Sequence, residues 1–282
     1  MKKTKKKAVI LLSLLTIILI WVVYTNVSVG FSEHTLYYDT LPEAFDGYRI
    51  AHISDLHNAE IGEGNETLLA MLKEAEPDLI AITGDLIDSN HTDIAVALAF
   101  AEAAMQIAPC YYVNGNHEWG AGLTLKMRQL MEARGVICLS NEFVTLNRES
   151  EHILICGVED RNGRADMIKP PELAEELRQQ YPEDFVLWLQ HRNDSLIYYP
   201  ELPVELVLSG HAHGGIVRLP FIGGVLDVRG KLGAEYEKGI YNEGGLTQLV
   251  SAGLGNSVFI PRFLNRPELP IITLRNSEIS FL

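Results

Sequence analysis

Six short, continuously apolar runs, separated by stretches of helical character, constrain the fold of this 282-residue chain more than any other feature. Continuous apolar runs are typical of strands that are covered on both faces by helices. The predicted strands are residues 49–53, 78–83, 110–113, 152–156, 185–189 and 205–208. The predicted helices are residues 66–75, 92–106, 124–134 and 171–180. The sequence therefore predicts a protein of the α/β class, and its three cysteines (Cys110, Cys138 and Cys156) are expected in strands as small apolar residues.

The chain changes character after Gly214, where glycine-rich, hairpin-like segments without an obvious helix take over. We expect residues 216–245 to decide specificity. Within them, Pro220-Phe221-Ile222-Gly223-Gly224 is apolar and flexible, and two interpretations fit it: a lip that contacts an acyl chain or the membrane, or a hairpin that packs on the domain. Packing is the expected one, so deleting Phe221 and Ile222 should unfold the protein.

Polar side chains that bind metals follow five of the predicted strands. Each motif alone is more often an ordinary turn or a hydrogen-bonded histidine, but five strand ends in one chain make accident improbable. Side chains two residues apart in an extended chain point the same way, so Asp55 should share a face with His57, and His211 with His213. Ligands of open α/β sheets bind at the carboxyl ends of strands. The candidate residues are Asp55, His57, Asp85, Asp88, Asn116, His117, His191, His211 and His213.

Seven of these residues form a set of metal ligands: Asp55, His57, Asp85, Asn116, His191, His211 and His213. Asp, Asn and His without Cys suit divalent Mn, Zn, Fe or Co, and not a structural zinc site. Seven ligands are too many for one tetrahedral ion and suit two ions that share a carboxylate. Two metals about 3.5–4 Å apart clamp the attacking and leaving oxygens of an in-line displacement, in which a bridging water is the nucleophile. The sequence therefore predicts two divalent metal cofactors and a phosphoester substrate.

Residues 50–215 resemble the calcineurin-like metallophosphoesterase superfamily, because they reproduce its order of motifs: Asp-x-His, Gly-Asp-x-x-Asp, Gly-Asn-His-Glu, His and Gly-His-x-His. The tail, with Ser251-Ala252-Gly253-Leu254-Gly255 and Arg266-Pro267-Glu268, resembles the membrane-attached bacterial branch. The resemblance implies a four-layer sandwich of two stacked mixed β-sheets flanked by helices. It also implies hydrolysis of phosphodiesters or of lipid-linked pyrophosphates such as acylated sugar nucleotides, although the motifs are poorly specific for substrate.

The same resemblance assigns roles to the candidate residues. Those implied at the first metal are Asp55, His57, Asp85 and His213, and those at the second are Asp85, Asn116, His191 and His211. His117 is expected to protonate the leaving oxygen or stabilise its charge, and Asp88 to orient its imidazole.

Two positions depart from the family pattern. Arg192-Asn193-Asp194 follows His191 where relatives commonly have a proline, so the loop path there is less defined. Ser89 stands where some protein phosphatases carry a phosphate-binding arginine, which leaves Asn116, His117 and the metals to hold the substrate.

An apolar segment from Ala8 to Tyr24 follows five lysines in residues 1–7. At 1.5 Å per residue its 17 residues span about 25 Å, marginally enough for a bilayer core of ~30 Å. The lysines should stay cytoplasmic, which sends the rest of the chain outward. We expect an uncleaved signal anchor over a cleaved secretory signal or a buried helix, because no Ala-x-Ala site follows. Residues 1–30 would then form a lysine-rich end and a single-pass cell-membrane anchor, and residues 31–282 the metallophosphoesterase domain.

The charge of the chain excludes one class of partner. The net charge is −14, and without the five terminal lysines 18 basic and 37 acidic residues remain, a net charge of −19. Nucleic-acid binding needs a basic face, and no basic run exists beyond residue 7. We therefore expect no nucleic-acid partner, and a nucleic-acid phosphodiesterase is the weakest of three hypotheses. The leading one is an outward-facing dinuclear phosphohydrolase. The alternative, a non-catalytic metal-binding envelope protein, is disfavoured because His117 and Asp88 are both present.

Overall fold

The protein is described by a computed structural model that covers residues 2–163, 167–226, 232–233 and 235–280. Its strands are β1 (Gly30–Tyr38), β2 (Arg49–Ile53), β3 (Leu79–Ile82), β4 (Cys110–Tyr112), β5 (Ile137–Cys138), β6 (Glu142–Arg148), β7 (Glu151–Gly157), β8 (Val186–Leu189), β9 (Leu206–Ser209), β10 (Arg218–Leu219), β11 (Gly223–Gly224), β12 (Gly239–Glu243), β13 (Leu246–Val250) and β14 (Glu268–Asn276). Its α-helices are α1 (Lys2–Val27), α2 (Glu66–Ala75), α3 (Ile94–Ala104), α4 (Asn116–Gly120), α5 (Thr124–Glu132), α6 (Pro170–Gln180), α7 (Ser195–Tyr198) and α8 (Ser277–Ser280).

Twelve of the strands form two six-stranded mixed sheets. The first sheet has the order β1-β14-β2-β3-β4-β5 and the second has the order β12-β13-β9-β8-β7-β6. In the first sheet β2, β3, β4 and β5 are parallel, and β14 runs antiparallel to β2 but parallel to β1. In the second, β13, β9, β8 and β7 are parallel, with β12 and β6 antiparallel at the edges. The parallel strands at the centre of the two sheets carry the candidate ligands at their carboxyl ends, which are those of β2, β3, β4, β8 and β9.

Three apolar cores separate four layers. The core between the sheets contains Ile50 and Ile272 from the first sheet and Leu187 from the second. The outer face of the first sheet is covered by α2, α3 and α5, through residues such as Phe100. The outer face of the second is covered by α6 and α7, with Trp188 fully buried beneath them. Full burial of such side chains contributes about 1.5–3 kcal/mol each. The predicted α/β fold, two stacked mixed sheets flanked by helices, is confirmed.

All six predicted strands and all four predicted helices are present, but several strands were not predicted, among them the two longest, β1 and β14. In β14, Pro270 interrupts the strand pattern, because proline cannot donate a hydrogen bond to a neighbouring strand. In β1, side chains alternate between half-buried and exposed positions, as on an edge strand. The three cysteines lie in β4, β5 and β7 and are buried, as expected.

The N-terminal helix α1 contains a stretch, Lys5–Val27, that is long and apolar enough to cross a membrane. The stretch is strongly apolar, and almost none of it is buried within the protein. Length and composition therefore indicate a membrane anchor near the N-terminus. Its processing and the division of the chain at residue 30 stay predictions.

The hairpin β10–β11 does not pack its tip on the domain, so the packing interpretation is wrong. Phe221 is 109% exposed and Ile222 is 72% exposed, because the tip extends beyond the paired residues Leu219 and Gly223. Deletion of these two side chains is therefore not expected to unfold the protein. The expectation that residues 216–245 decide specificity stays a prediction, and residues 227–231 and 234 within it lie outside the described part of the chain.

Candidate metal centre

Five loops, those that follow β2, β3, β4, β8 and β9, meet at the carboxyl ends of both sheets and carry the candidate ligands. Within the first sheet, the backbone N–H of Asp55 donates to the carbonyl of Gly84 at 3.1 Å. Across the sheets, the backbone N–H of His211 donates to both oxygens of the Asp55 carboxylate at 3.0 and 3.2 Å. The two bonds from His211 join loops that are 156 residues apart in sequence.

The backbone of these loops is left-handed at five candidate ligands, contrary to the extended chain that the sequence suggested. The φ angles of Asp55, His57, Asp85, His211 and His213 are 52°, 48°, 52°, 67° and 48°. Such angles cost on the order of 1–3 kcal/mol each in non-glycine residues and concentrate at functional sites. The prediction that these side chains share a face because the chain is extended is therefore wrong, since the backbone there is left-handed. The side chains converge because the chain turns sharply after each strand.

The first ligand group consists of Asp55, His57 and His213, all of them buried. The Nε2 atoms of His57 and His213 lie 3.1 Å apart. The Oδ1 atom of Asp55 lies 3.4 Å from Nε2 of His213 and 3.8 Å from Nε2 of His57. These three side chains enclose a point where one cation can be held.

The second ligand group consists of Asp85, Asn116, His191 and His211. Around Nε2 of His191 lie Oδ2 of Asp85 at 3.1 Å, Oδ1 of Asn116 at 3.0 Å and Nδ1 of His211 at 3.2 Å. The same Asp85 oxygen lies 3.8 Å from Nε2 of His57 in the first group. Asp85 therefore stands between the two groups.

The donor chemistry of both groups fits metal ions. In the second, Nδ1 of His191 is 2.8 Å from the carbonyl of Thr83, which places a ring proton there and makes Nε2 the nitrogen that can bind a metal ion. Nε2 faces the acceptor oxygens of Asp85 and Asn116, a set that is satisfied either by a proton on Nε2 or by a metal ion that replaces it. In the first group, the buried Nδ1 of His57 has no hydrogen-bond partner among the described residues. His, Asp and Asn ligands without Cys suit divalent ions of intermediate hardness.

Opposite pKa shifts distinguish the two groups. Burial lowers the pKa of His57, against the opposing effect of the Asp85 and Asp55 carboxylates. At His213, burial is reinforced by His57 and Arg262, so both imidazoles are neutral near pH 7. At His191, burial is outweighed by the charge and hydrogen bond of Asp85, which raise its pKa to about 10. At Asp85, burial is likewise outweighed, and the adjacent histidines, led by His191, lower its pKa.

His117 begins the first turn of α4 beside both groups, with Nε2 3.9 Å from Oδ2 of Asp85. Its Nδ1 accepts a hydrogen bond from the backbone N–H of Ser89 at 3.0 Å. Asp88 Oδ1 lies 3.8 Å from the same nitrogen and accepts instead from the backbone N–H of Asn90. In this conformation Ser89, rather than Asp88, makes the bond that orients the ring.

Glu118 organises the second ligand group, although the sequence analysis gave it no role. Its fully buried carboxylate accepts hydrogen bonds from the backbone N–H groups of Asp85, Leu86 and Gly115 at 2.8–2.9 Å, and from Ile87 at 3.3 Å. Burial and the nearby Asp85 charge raise its pKa to about 7, against the effect of these bonds. It therefore ties the loop after β3 to the loop after β4. Its place at the end of Gly-Asn-His-Glu was the available signal.

Arg192, one of the departures from the family pattern, lies in the wall of the site. Its Nε and Nη2 donate to the two oxygens of the buried Asp160 at 2.7 and 3.2 Å. Its Nη1 lies 3.1 Å from Nε2 of His211. Although a proline was expected near this position from the family resemblance, the loop still brings His191 into the second ligand group.

Two cavities meet at Arg161 and Arg192. One, of about 530 Å³, opens over the two ligand groups and is lined by Asp85, Ser89, Asn90, Asn116, His117, Arg161, Asn162, Arg192, His211, His213, Ser257 and Val258. The other, of about 480 Å³, has an apolar wall that includes Ile168 and Tyr198. A phosphate bound over the ligand groups would therefore have arginines on one side and an adjoining cavity beyond them.

Comparison with known proteins places this chain in a family. Residues 48–215, which contain all seven candidate ligands, match the model of the calcineurin-like phosphoesterases. The chain is 32% identical over 254 residues to YkuE, an uncharacterized metallophosphoesterase of Bacillus subtilis (strain 168), over 88% of this chain and 86% of that protein. It is 28% identical over 193 residues to a transmembrane protein with metallophosphoesterase domain of Danio rerio, over 63% of this chain and 43% of that protein.

A solved structure, the NAD nucleotidase NadN of Haemophilus influenzae, is similar with 18% identity and a TM-score of 0.49, over 74% of this chain and 45% of that chain. The family model covers more than half of the chain, and the site holds side chains that can bind metal. The chain belongs to the calcineurin-like phosphoesterase family, and it is a metal-dependent phosphoesterase.

Proposed function

We propose that the protein is a membrane-anchored phosphohydrolase that uses two divalent metal ions and hydrolyses phosphodiesters or lipid-linked pyrophosphates outside the cytoplasm. The observation that carries the proposal is the position of the Asp85 carboxylate, 3.1 Å from Nε2 of His191 and 3.8 Å from Nε2 of His57. One carboxylate within reach of two ligand groups is the arrangement that a metal pair needs. The outward orientation is supported by the lysines at the start of α1, which precede its apolar residues.

The first ion would be held by Asp55, His57, Asp85 and His213, and the second by Asp85, Asn116, His191 and His211. When bound, two such ions supply positive charge to the phosphoryl oxygens and lower the pKa of a water, for which Mn, Zn and Fe all serve. Because only two of the ligands are anionic, the site with two divalent ions bound would have a net charge near +2. It would therefore attract a phosphate even though the domain as a whole is acidic.

His117 acts on the leaving oxygen. Because Nδ1 accepts from the Ser89 N–H, the neutral ring carries its proton on Nε2, the nitrogen that faces Asp85. From there it donates a hydrogen bond to the developing charge. When the ring is protonated, its Nδ1–H has the Asp88 carboxylate 3.8 Å away as a partner, and Nε2 delivers a proton to the leaving group.

Arg192 supports a substrate with a second group beyond the scissile phosphate. Its guanidinium is held in place by Asp160 and faces the cleft, which compensates for Ser89 at the position where some phosphatases have an arginine. Planar guanidinium groups bind phosphate oxygens well. The adjoining cavity past Arg192 offers room for the remainder of a diester or pyrophosphate.

The experiment compares His117→Gln with wild type in the purified full-length protein loaded with Mn²⁺. General acid catalysis is worth about 10²–10⁴-fold, so kcat should fall by that factor with metal content unchanged. The loss should be larger for an alkyl phosphodiester than for an aryl one, because an aryl leaving group needs less protonation.

His91→Gln, whose side chain is exposed and outside the site, is the matched control and should have wild-type activity. Equal activity of the two variants would refute the role of His117. Metal binding without turnover of any phosphoester would instead favour the non-catalytic alternative. An oligonucleotide in the substrate panel should not be cleaved.

A further inference from the structure

The membrane helix enters the domain at the same edge that carries the metal ligands. Helix α1 ends at Val27, and β1 begins at Gly30, which pairs with Glu268 at the start of β14. Strand β14 is antiparallel to β2, with Ile271 opposite Ala51, so its start lies beside the end of β2. Asp55 follows that end. The point where the chain leaves α1 therefore lies next to the first ligand group.

The last turn of α1 is fixed to residues 255–266, here called the cleft-side loop. The side chain of Asn26 donates to the carbonyl of Arg262 and accepts from its N–H, both at 2.8 Å. The Arg266 Nε donates to the carbonyl of Ser28 at 3.0 Å, and its guanidinium lies 5.7 Å from the centre of the Tyr24 ring. The same loop supplies Ser257 and Val258 to the wall of the metal cleft.

Four apolar side chains project from this region. Phe259 and Ile260, which are 104% and 42% exposed, lie on the cleft-side loop. Phe221 and Ile222, which are 109% and 72% exposed, lie at the tip of hairpin β10–β11. The hairpin and the loop are joined, because Arg218 N–H donates to the carbonyl of Phe263 at 2.9 Å. These four residues are called the apolar tips. Exposed aromatic and aliphatic groups at the base of a membrane helix need an explanation.

We propose that the apolar tips insert into the headgroup and acyl boundary of the bilayer that α1 spans, so that the metal cleft faces the membrane surface. The proposal rests on the membrane anchor of the proposed function. The bilayer is the occupant because only two residues separate α1 from β1, which keeps the cleft-side loop beside the lipid. Segments that lie at a membrane interface commonly bury Phe and Leu side chains in the boundary between headgroups and acyl chains.

The contact is apolar rather than electrostatic. Beyond residue 7 the chain has 18 basic and 37 acidic residues, which opposes attraction to anionic lipids. Insertion should therefore occur in neutral phosphatidylcholine and resist salt. A cleft held in this way would favour phosphoesters anchored in the bilayer over soluble ones.

The test uses an environment-sensitive NBD label on single introduced cysteines in the full-length, vesicle-reconstituted protein. Cys110, Cys138 and Cys156 are buried, so the label reports only the introduced site. Phe259→Cys and Phe221→Cys should each give several-fold brighter, blue-shifted emission in phosphatidylcholine vesicles, with quenching by spin-labelled lipid.

Ser150→Cys is the matched control, because this exposed turn precedes β7 at the end of the sheet opposite the ligands. Its label should stay water-exposed. Val23→Cys in α1 reports the anchor itself and should be quenched. If Val23 is quenched while Phe259 behaves like Ser150, the inference fails with the anchor intact. If Val23 is not quenched, the anchor in the proposed function fails. Emission that requires anionic lipid would overturn apolar docking.

The functional counterpart is the double variant Phe221→Ser with Phe259→Ser. Because both rings are exposed, the variant should fold normally and hydrolyse a soluble aryl phosphodiester at the wild-type rate. Its apparent KM for a phosphoester lipid in vesicles should rise about tenfold. An unchanged KM for the lipid substrate would contradict the proposal.

Discussion

The two ligand groups of the site are built alike but differ in charge. Each collects two histidines from loops that follow strands, yet His57 and His213 have lowered pKa values and His191 has one of about 10. In the first group, a buried cation, Arg262, has Nη2 3.4 Å from Nδ1 of His213. In the second, Asp85 directly contacts His191. The positions of the charged neighbours, more than the number of ligands, therefore determine whether a metal ion must displace a proton from the histidines of each ligand group.

The largest effect is expected from Asp85→Asn. Asn keeps the acceptor that receives the N–H of His117, but removes the charge that both groups share. Mutation of residues that only hydrogen-bond to metal ligands typically lowers metal affinity by about 10–100-fold. Loss of a ligand that both ions share should therefore lower metal affinity by more than ~100-fold. Metal analysis should find less than one ion per chain, and activity should be lost. Asp55→Asn should keep one ion in the second group, and equal retention by both variants would break the comparison.

The next effect is expected from Glu118→Gln, which removes hydrogen bonds from the loops that carry Asp85 and Asn116. In wild type both carboxylate oxygens of Glu118 accept hydrogen bonds from backbone N–H groups, whereas the amide of Gln has only one acceptor oxygen. Leaving a buried donor unsatisfied costs about 1–3 kcal/mol, so the free energy of unfolding should fall by about 2–4 kcal/mol in denaturant titrations. Glu132→Gln removes only an exposed ion pair with Arg128 and should cost less than about 1 kcal/mol. Similar values for both variants would refute the organising role of Glu118.

Metal binding should release protons from one group only. At pH 8 His191, with a pKa of about 10, is protonated and must lose its proton to bind metal, whereas His57 and His213 are already neutral. Calorimetry in buffers of different ionisation enthalpy should detect about one proton per chain from His191, in addition to any released by metal-bound water. Affinity of the second group should rise about tenfold per pH unit up to pH 10. His191→Gln should release about one proton fewer per chain than wild type, and an equal release by the two proteins would contradict the assignment.

The smallest effect is expected from Arg192→Gln. A hydrogen bond to a charged group is worth about 1.5–3 kcal/mol, so KM for a pyrophosphate or diester should rise at least tenfold. Metal content should stay at the wild-type level, because Arg192 lines the site without joining a ligand group. Arg161→Gln, at a half-exposed position paired with Asp194, is the control and should change KM less. Loss of metal in Arg192→Gln would mean that it acts on His211 instead.

The fold and the candidate ligands could be predicted because apolar strands and the polar residues after them are local features of the sequence. The left-handed backbone at Asp55 could not, because it depends on hydrogen bonds to Gly84 and to Gly255, which are distant along the chain. The roles of Glu118 and Arg192 likewise depend on partners in other loops. The exposure of Phe221 was misjudged because an apolar tip looks the same in sequence whether it packs on a domain or projects from it.

The most direct measurement is an anomalous difference map of crystals of the Mn²⁺-loaded protein. We predict two peaks about 3.5–4 Å apart, with Asp85 between them. One peak should lie among Asp55, His57 and His213, and the other among Asn116, His191 and His211. A single peak, or two peaks that Asp85 does not contact, would contradict the shared-carboxylate metal pair.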